Sequence, residues 1–229
     1  MIIPLVSEAE WIDFLQDLPI FELPESPALI VVPHPDDETL ATGGLISTLR
    51  SRGLDVLIAS VTDGEKAYEN SNGLGELRQS EQTLALSVLE VTPEKTIRMH
   101  VPDSHVATHE QELVERLSKL ASHETHIFAP WLGDFHPDHE ACGRAAESVA
   151  HQTGARLTYY LFWTWHRGTL ASLDREKLSV LPLSQTSMLK KAEALRCHES
   201  QLSHPSGKPI LSERLLAPAK RVFEVFLTT

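Results

Sequence analysis

Ala28-Leu29-Ile30-Val31-Val32-Pro33-His34-Pro35-Asp36-Asp37-Glu38 is the stretch that decides the fold. Residues 28 to 33 form a continuous apolar run closed by Pro33, the pattern of a strand buried on both faces of a parallel sheet. Leu54 to Val61 repeats it. Between the two, Leu45 to Arg52 has helical spacing, and Gly53 stands where a helix C-terminus favours a residue without Cβ. The unit therefore reads strand, loop, helix, strand.

The same alternation continues outward. A helix is predicted from about Glu76 to Glu90, with Leu77, Leu84, Leu86, Val88 and Leu89 as its apolar positions and Pro93 beyond its end. A strand follows near Ile97 to Val101, then a helix around Glu110 to Ala121 and a strand at His126 to Ala129. A helix after Pro137 and a β-rich stretch from Leu157 to Trp163 come next. Ser7 and Glu10 fit a capping box before an N-terminal packing helix with Trp11, Ile12 and Leu15. A late helix is expected from Gln185 to Gln201, and Ser203 to Pro209 reads as a turn-rich surface loop. The expected fold class is α/β: one Rossmann-like domain over residues 1–229, a mostly parallel sheet with helices on both faces.

Composition narrows the function classes. Of 229 residues, 32 are acidic and 20 basic, a formal net charge of −12 that repels phosphate backbones and anionic lipid and so argues against a nucleic-acid partner. No apolar run approaches the roughly 20 residues of a membrane span. Met1-Ile2-Ile3-Pro4 lacks a basic region and soon meets Glu8, Glu10 and Asp13, unlike a secretory signal. Cys142 and Cys197 stand far apart, in no pattern of a zinc ribbon or disulfide scaffold. A cytoplasmic location is expected. The oligomeric state stays open, a homo-oligomer included.

Two segments carry chemistry, each just after a predicted strand: His34 to Glu38, and His136-Pro137-Asp138-His139. In open α/β sheets ligands bind beyond the carboxyl ends of the strands, so both segments belong to one crevice. His34 and His139 offer imidazole nitrogens. Of Asp36 and Asp37, adjacent in a tight loop, one can bind metal while the other faces the reacting water; spacing does not decide which. Two histidines and one carboxylate leave an open coordination position, as catalytic zinc sites do. Nitrogen and oxygen ligands alone do not separate zinc from iron(II), so an iron(II) oxygenase is one rival. A binding module without catalysis is the other, opposed by the presence of both Asp36 and His136.

These motifs resemble the PIG-L or LmbE-like zinc N-deacetylases, in which an apolar strand runs into His-Pro-Asp-Asp-Glu and a later His-Pro-Asp-His. The likeness extends to Thr42-Gly43-Gly44, Thr62-Asp63-Gly64-Glu65, Arg78 with Glu81, Pro102-Asp103, and Lys191 through Ser200-Gln201. The resemblance implies Zn2+ held by His34, Asp37 and His139, with Asp36 as general base. It implies that His136 stabilises the oxyanion or protonates the leaving amine, while Asp138 orients an imidazole; apart from the resemblance, a histidine in that role contributes most when protonated, which a neighbouring carboxylate would favour. Arg78 and Asp103 match positions that contact substrate. Ser104 stands where glycine is common, and the connector 131–135 is variable. The implied substrate is a small molecule, an N-acetylated amino sugar conjugate.

Other residues receive plainer readings. A strand and its following loop explain Tyr159 to His166; the alternative is that Trp165, His166 or Arg167 reaches the pocket and stacks on a sugar face. His100, His105, His109, His123, His126 and His151 read as surface or satisfied core residues. Gly43-Gly44 lacks the pattern of a phosphate loop. His198 and His204 join the crevice only if the last helix returns there.

Overall fold

The computed structural model describes residues 4–69, 72–203, 207 and 209–228. Seven strands join one sheet: β1 (Ala28–Val32), β2 (Val56–Ser60), β3 (Thr96–Arg98), β4 (His126–Pro130), β5 (Arg156–Tyr160), β6 (Leu178–Pro182) and β7 (Phe223–Thr228). Their order is β3-β2-β1-β4-β5-β7-β6. β1 pairs in parallel with β2, Ala28 opposite Val56, and with β4, Ala28 opposite His126. The chain steps from β1 outward to β2 and β3, then crosses back to β4 and β5. Strand order thus reverses between β1 and β4, and a crevice opens beyond their carboxyl ends. β7 alone runs antiparallel, to both β5 and β6.

Alternation along the strands builds two apolar layers. Leu29 and Val31 face Ile127, Ala129 and the helices α1 (Glu8–Phe14), α4 (Glu110–Leu117) and α5 (Pro137–Thr153), through Trp11, Leu113 and Val149. Ile30 and Val32 face Ile58, Phe128 and the helices α2 (Asp37–Ser51), α3 (Leu74–Val88) and α7 (Gln185–Arg196), through Leu45, Leu86 and Ala194. The capping box at Ser7 forms: its hydroxyl accepts from Glu10 N–H while Glu10 Oε2 accepts from Ser7 N–H. Among the described residues no helix is long and apolar enough to cross a membrane.

The differences from the sequence expectation cluster near the crevice. α2 begins at Asp37 rather than at Leu45, so the first motif enters a helix directly. Its first turns bury Asp37, Glu38, Thr39 and Thr42, polar residues that hide the amphipathic spacing. α3 turns Leu77 and Leu84 outward, 50% and 61% exposed, and buries Arg78, Glu81 and Gln82 instead. The long late helix is interrupted: α7 stops at Arg196, and after His198 a single turn, α8 (Glu199–Leu202), starts afresh. Glu81 anchors that turn, accepting Ser200 N–H and Oγ–H, each at 2.6 Å. His198 does return to the crevice, fully buried beside Glu38 and Thr39. His204, with most of the expected surface loop, lies outside the described residues.

At the opposite end of β4, His126 lies stacked on Phe128 with its Nε2 2.8 Å from Thr158 Oγ1. Burial, with a smaller push from Arg156, lowers its pKa to about 4. Between pH 6.5 and 4 the unfolded chain therefore binds a proton that the folded chain refuses, and stability falls as pH falls through that window. His126→Gln is expected to flatten the dependence of unfolding free energy on pH there by up to about 1.4 kcal/mol per pH unit. Urea titrations at a series of pH values measure it; an unchanged slope contradicts the assignment.

Candidate metal centre

Beyond β1 the backbone turns sharply at Asp36, which has φ 145° and ψ −27°, a region that residues with a Cβ rarely occupy. Four contacts hold it there. Arg78 Nη2 donates to Asp36 Oδ2 at 3.0 Å and to Pro35 O at 2.7 Å. Arg78 Nη1 donates to Gly64 O at 3.0 Å, and Asp36 N–H donates to Glu38 Oε2 at 3.3 Å. Gly64, with φ 63°, leaves room for that guanidinium: a Cβ there would lie 2.2 Å from Arg78 Nη1. The turn sends neighbouring carboxylates in different directions, Asp36 toward Arg78 and Asp37 toward the histidines.

Asp37 Oδ2 lies 3.2 Å from His34 Nδ1 and 3.2 Å from His139 Nε2. The ligand-capable atoms of these three residues all fall within 4.8 Å of one another. The outward nitrogens are held by other carboxylates: His139 Nδ1 is 2.9 Å from Asp134 Oδ2, and His34 Nε2 is 3.2 Å from Asp138 Oδ2 and 3.5 Å from Asp103 Oδ1. Such carboxylate–histidine pairs fix the ring orientation of metal ligands.

The donor set fits a divalent cation. His139 Nε2 is buried without a hydrogen-bond partner, near Asp37 but misaligned for a bond. Burial lowers the proton affinity of His139, yet Asp37 and Asp134 outweigh it and raise the pKa to about 9. His34 is raised as well, against its burial, by Asp103, Asp138 and Asp37. Asp36, Asp37, Asp103, Asp134 and Asp138 thus surround two imidazoles with Arg78 as the balancing cation, an arrangement that draws further positive charge inward. Two imidazole nitrogens and one carboxylate oxygen suit zinc and leave a position open. A second cluster, His34, His136 and Asp138, is also compact. There Asp138 already accepts from Ser104 N–H at 2.8 Å and Val106 N–H at 3.1 Å.

The remaining expected residues all border or support the cavity, about 220 Å³, that opens over this centre. Asp138 meets an imidazole, that of His34 rather than His136. Among the described residues no carboxylate bonds His136: its Nδ1 is unpartnered there, and its ring stacks on Trp163 with centroids 5.4 Å apart. The expectation that a carboxylate keeps it protonated is therefore corrected. Burial, with His139 and His34 nearby, lowers its pKa to about 3 against the weaker pull of Asp37 and Asp138. Arg78 and Asp103 line the cavity with protein partners of their own, Asp36 and the Lys66 N–H. Asp36 itself is pushed up to about 8 by burial, with Arg78 opposing and Asp37 assisting.

One supporting group escapes the sequence reading. Asp134, in the connector 131–135, is fully buried and accepts from His139 and from the N–H groups of Phe162, Trp163 and Thr164. The only hint in the sequence is a carboxylate five residues before His139 at a strand end. Of the aromatic stretch, Phe162, Trp163 and Arg167 reach the cavity, whereas Trp165 and His166 turn away from it into α1's surroundings.

A doubly wound sheet thus brings two imidazoles and two neighbouring carboxylates, Asp37 between the rings and Asp36 on Arg78, to its switch point, a donor set able to hold a divalent cation. The chain belongs to the PIG-L family: the model described as GlcNAc-PI de-N-acetylase matches residues 29–150, which contain both motifs. A relative named 1D-myo-inositol 2-acetamido-2-deoxy-alpha-D-glucopyranoside deacetylase, from Corynebacterium glutamicum (strain R), is 26% identical, covering 74% of this chain and 72% of its own. Among solved structures, the conserved protein TT1542 from Thermus thermophilus superposes with a TM-score of 0.67 at 23% identity, over 89% of this chain and 94% of that one. The zinc-inhibited form of the teicoplanin deacetylase Orf2 gives 0.66 at 18% identity, over 88% and 97%. At these identities the superpositions establish the fold.

Proposed function

We propose that this chain is a zinc-dependent N-deacetylase that hydrolyses the acetyl amide of an N-acetylated amino sugar conjugate. It is a hydrolase of N-acetyl amides; the amino-sugar class is supported by the acetamido sugar in the name of the corynebacterial relative. The observation that carries the reading is the division of labour between adjacent aspartates: Asp37 faces two imidazoles, and Asp36 faces the cavity, its Oδ2 held by Arg78 and its Oδ1 without a hydrogen bond among the described residues.

His34, Asp37 and His139 would hold the ion. The chemistry it supplies when bound is Lewis acidity, which lowers the pKa of water from 15.7 to about 7 and polarises an acyl oxygen. Asp36 takes the proton of the attacking water as the new C–O bond forms at the acyl carbon. Burial suits it to that task, because a desolvated carboxylate binds a proton more readily than one in water. Neutral His136 donates a hydrogen bond to the oxygen on which charge develops. The proton on Asp36 then passes to the nitrogen as the C–N bond breaks, giving acetic acid and the amine, which leave as acetate and the ammonium form once the acid's proton is transferred. Cytoplasm is the proposed compartment, supported by two free cysteines, Cys142 and Cys197.

Zinc-loaded protein is expected to release acetate from at least one member of a panel of N-acetylated amino sugars, read by an enzyme-coupled acetate assay. Absence of release across glycosides, chito-oligosaccharides and acylated antibiotic aglycones would overturn the reading.

A further inference from the structure

Arg167 and Lys66 lie on opposite sides of the catalytic cavity, one beyond β5 and one beyond β2. Neither forms an ion pair among the described residues. Other basic side chains of this acidic protein do find carboxylates, Arg144 with Glu110, Lys191 with Glu224 and Arg221 with Glu8 among them, while Arg98, Arg156 and Arg175 lie outside the cavity and donate to uncharged oxygens. Arg167 is half-buried, its guanidinium carbon 4.1 Å from the centroid of Trp163, and Nη1 donates to Phe135 O at 2.6 Å. Trp163 in turn stacks on His136, so guanidinium, indole and imidazole form one wall leading to the metal ligands. Asp134, whose charge acts on Arg167, is already engaged by His139 and the backbone of 162–164. On the far side Lys66 Nζ rests 3.0 Å from His105 Nδ1, a ring nitrogen rather than a carboxylate.

A half-buried guanidinium held over an aromatic face, with donors left over and no carboxylate partner, suits a planar or tetrahedral oxyanion. The general surface charge works against anions, so attraction at this one place is selective. We propose that the amino-sugar substrate bears an anionic group, a carboxylate or a phosphate, on the part away from the acetamide, and that Arg167 receives it with Lys66 as the second cation. The inference rests on the deacetylase reading of the same cavity.

Three N-acetylglucosamine conjugates test it: an uncharged methyl glycoside, one bearing a carboxylate on the aglycone and one bearing a phosphate. Acetate release by zinc-loaded protein gives kcat/KM, and calorimetric titration of the Asp36→Asn protein gives Kd without turnover. One anionic conjugate is expected to exceed the methyl glycoside by about 10- to 100-fold in both measures, less so as salt is added. Which of the two it is identifies the oxyanion. Arg167→Gln should bring the ratio close to 1, Lys66→Gln should reduce it, and Arg167→Lys, which keeps the charge without the fork, should fall between. Acetate release at equal rates from all three, or a ratio unchanged in Arg167→Gln, overturns the inference while leaving the deacetylase intact. No acetate from any conjugate, with an anionic preference in Kd that Arg167→Gln removes, reverses that outcome: the anion site stands and the deacetylase reading fails.

Discussion

Asp36→Asn is expected to bind metal as the parent protein does and to turn over about 10²- to 10⁴-fold more slowly, the usual effect of removing a positioned general base. An amide keeps the shape of the carboxylate, and its oxygen still accepts from Arg78 Nη2, so the strained backbone at Asp36 retains its main tether. It does not take a proton from water or return one to nitrogen. Asp37→Asn should fail in the other measurement. There a neutral amide replaces the one charged atom that lies 3.2 Å from both imidazoles, and metal affinity drops before chemistry is reached. Rate at saturating zinc and zinc affinity from competition with a chelator separate the two. If Asp36→Asn loses metal while Asp37→Asn keeps it, the assignments are the reverse of those proposed.

Much of this site is legible in the sequence because its signals are local. Apolar runs at 28–33 and 126–129 declare buried parallel strands, and motifs placed directly after them land at the switch point by topology alone. The failures share one physical cause: near the crevice the buried residues are polar. Helical periodicity is read from apolar side chains, so α2, whose first turns bury Asp37, Glu38, Thr39 and Thr42, goes unseen until Leu45. For the same reason the apolar face expected of α3 includes the exposed Leu77 and Leu84, while Arg78, Glu81 and Gln82 point inward. The β6–β7 pair escapes because its pairing is antiparallel and late in the chain, outside the strand–helix alternation that guides the reading. Long-range polar contacts leave even less trace. Nothing in the order of residues says that Glu81 meets Ser200 or that Glu38 meets His198.

Asp134 is where that hidden polar framework should prove most sensitive. Its two oxygens accept from the N–H groups of Phe162, Trp163 and Thr164, from Thr164 Oγ at 2.6 Å, and from His139 Nδ1 at 2.9 Å. One carboxylate thereby aims the ring of His139, the proposed metal ligand, and fastens the short helix α6 (Thr164–Arg167), which carries Arg167 into the cavity wall. Asp134→Asn offers one accepting oxygen in place of two and turns an N–H group toward existing donors. With each stranded buried donor costing about 1–3 kcal/mol, unfolding free energy should fall by roughly 3–5 kcal/mol. Zinc affinity should fall about 10- to 100-fold, the size seen when the partner behind a metal-bound histidine is removed. Thr164→Val separates the two roles, since it removes the hydroxyl bond and leaves His139 and the three backbone donors in place. That variant should lose about 1 kcal/mol by urea denaturation and keep its zinc. Were Asp134→Asn to lose stability but bind zinc as tightly as the parent, Asp134 would be a clamp on α6 alone, and the orientation of His139 would have to come from the packing of its ring against Phe162.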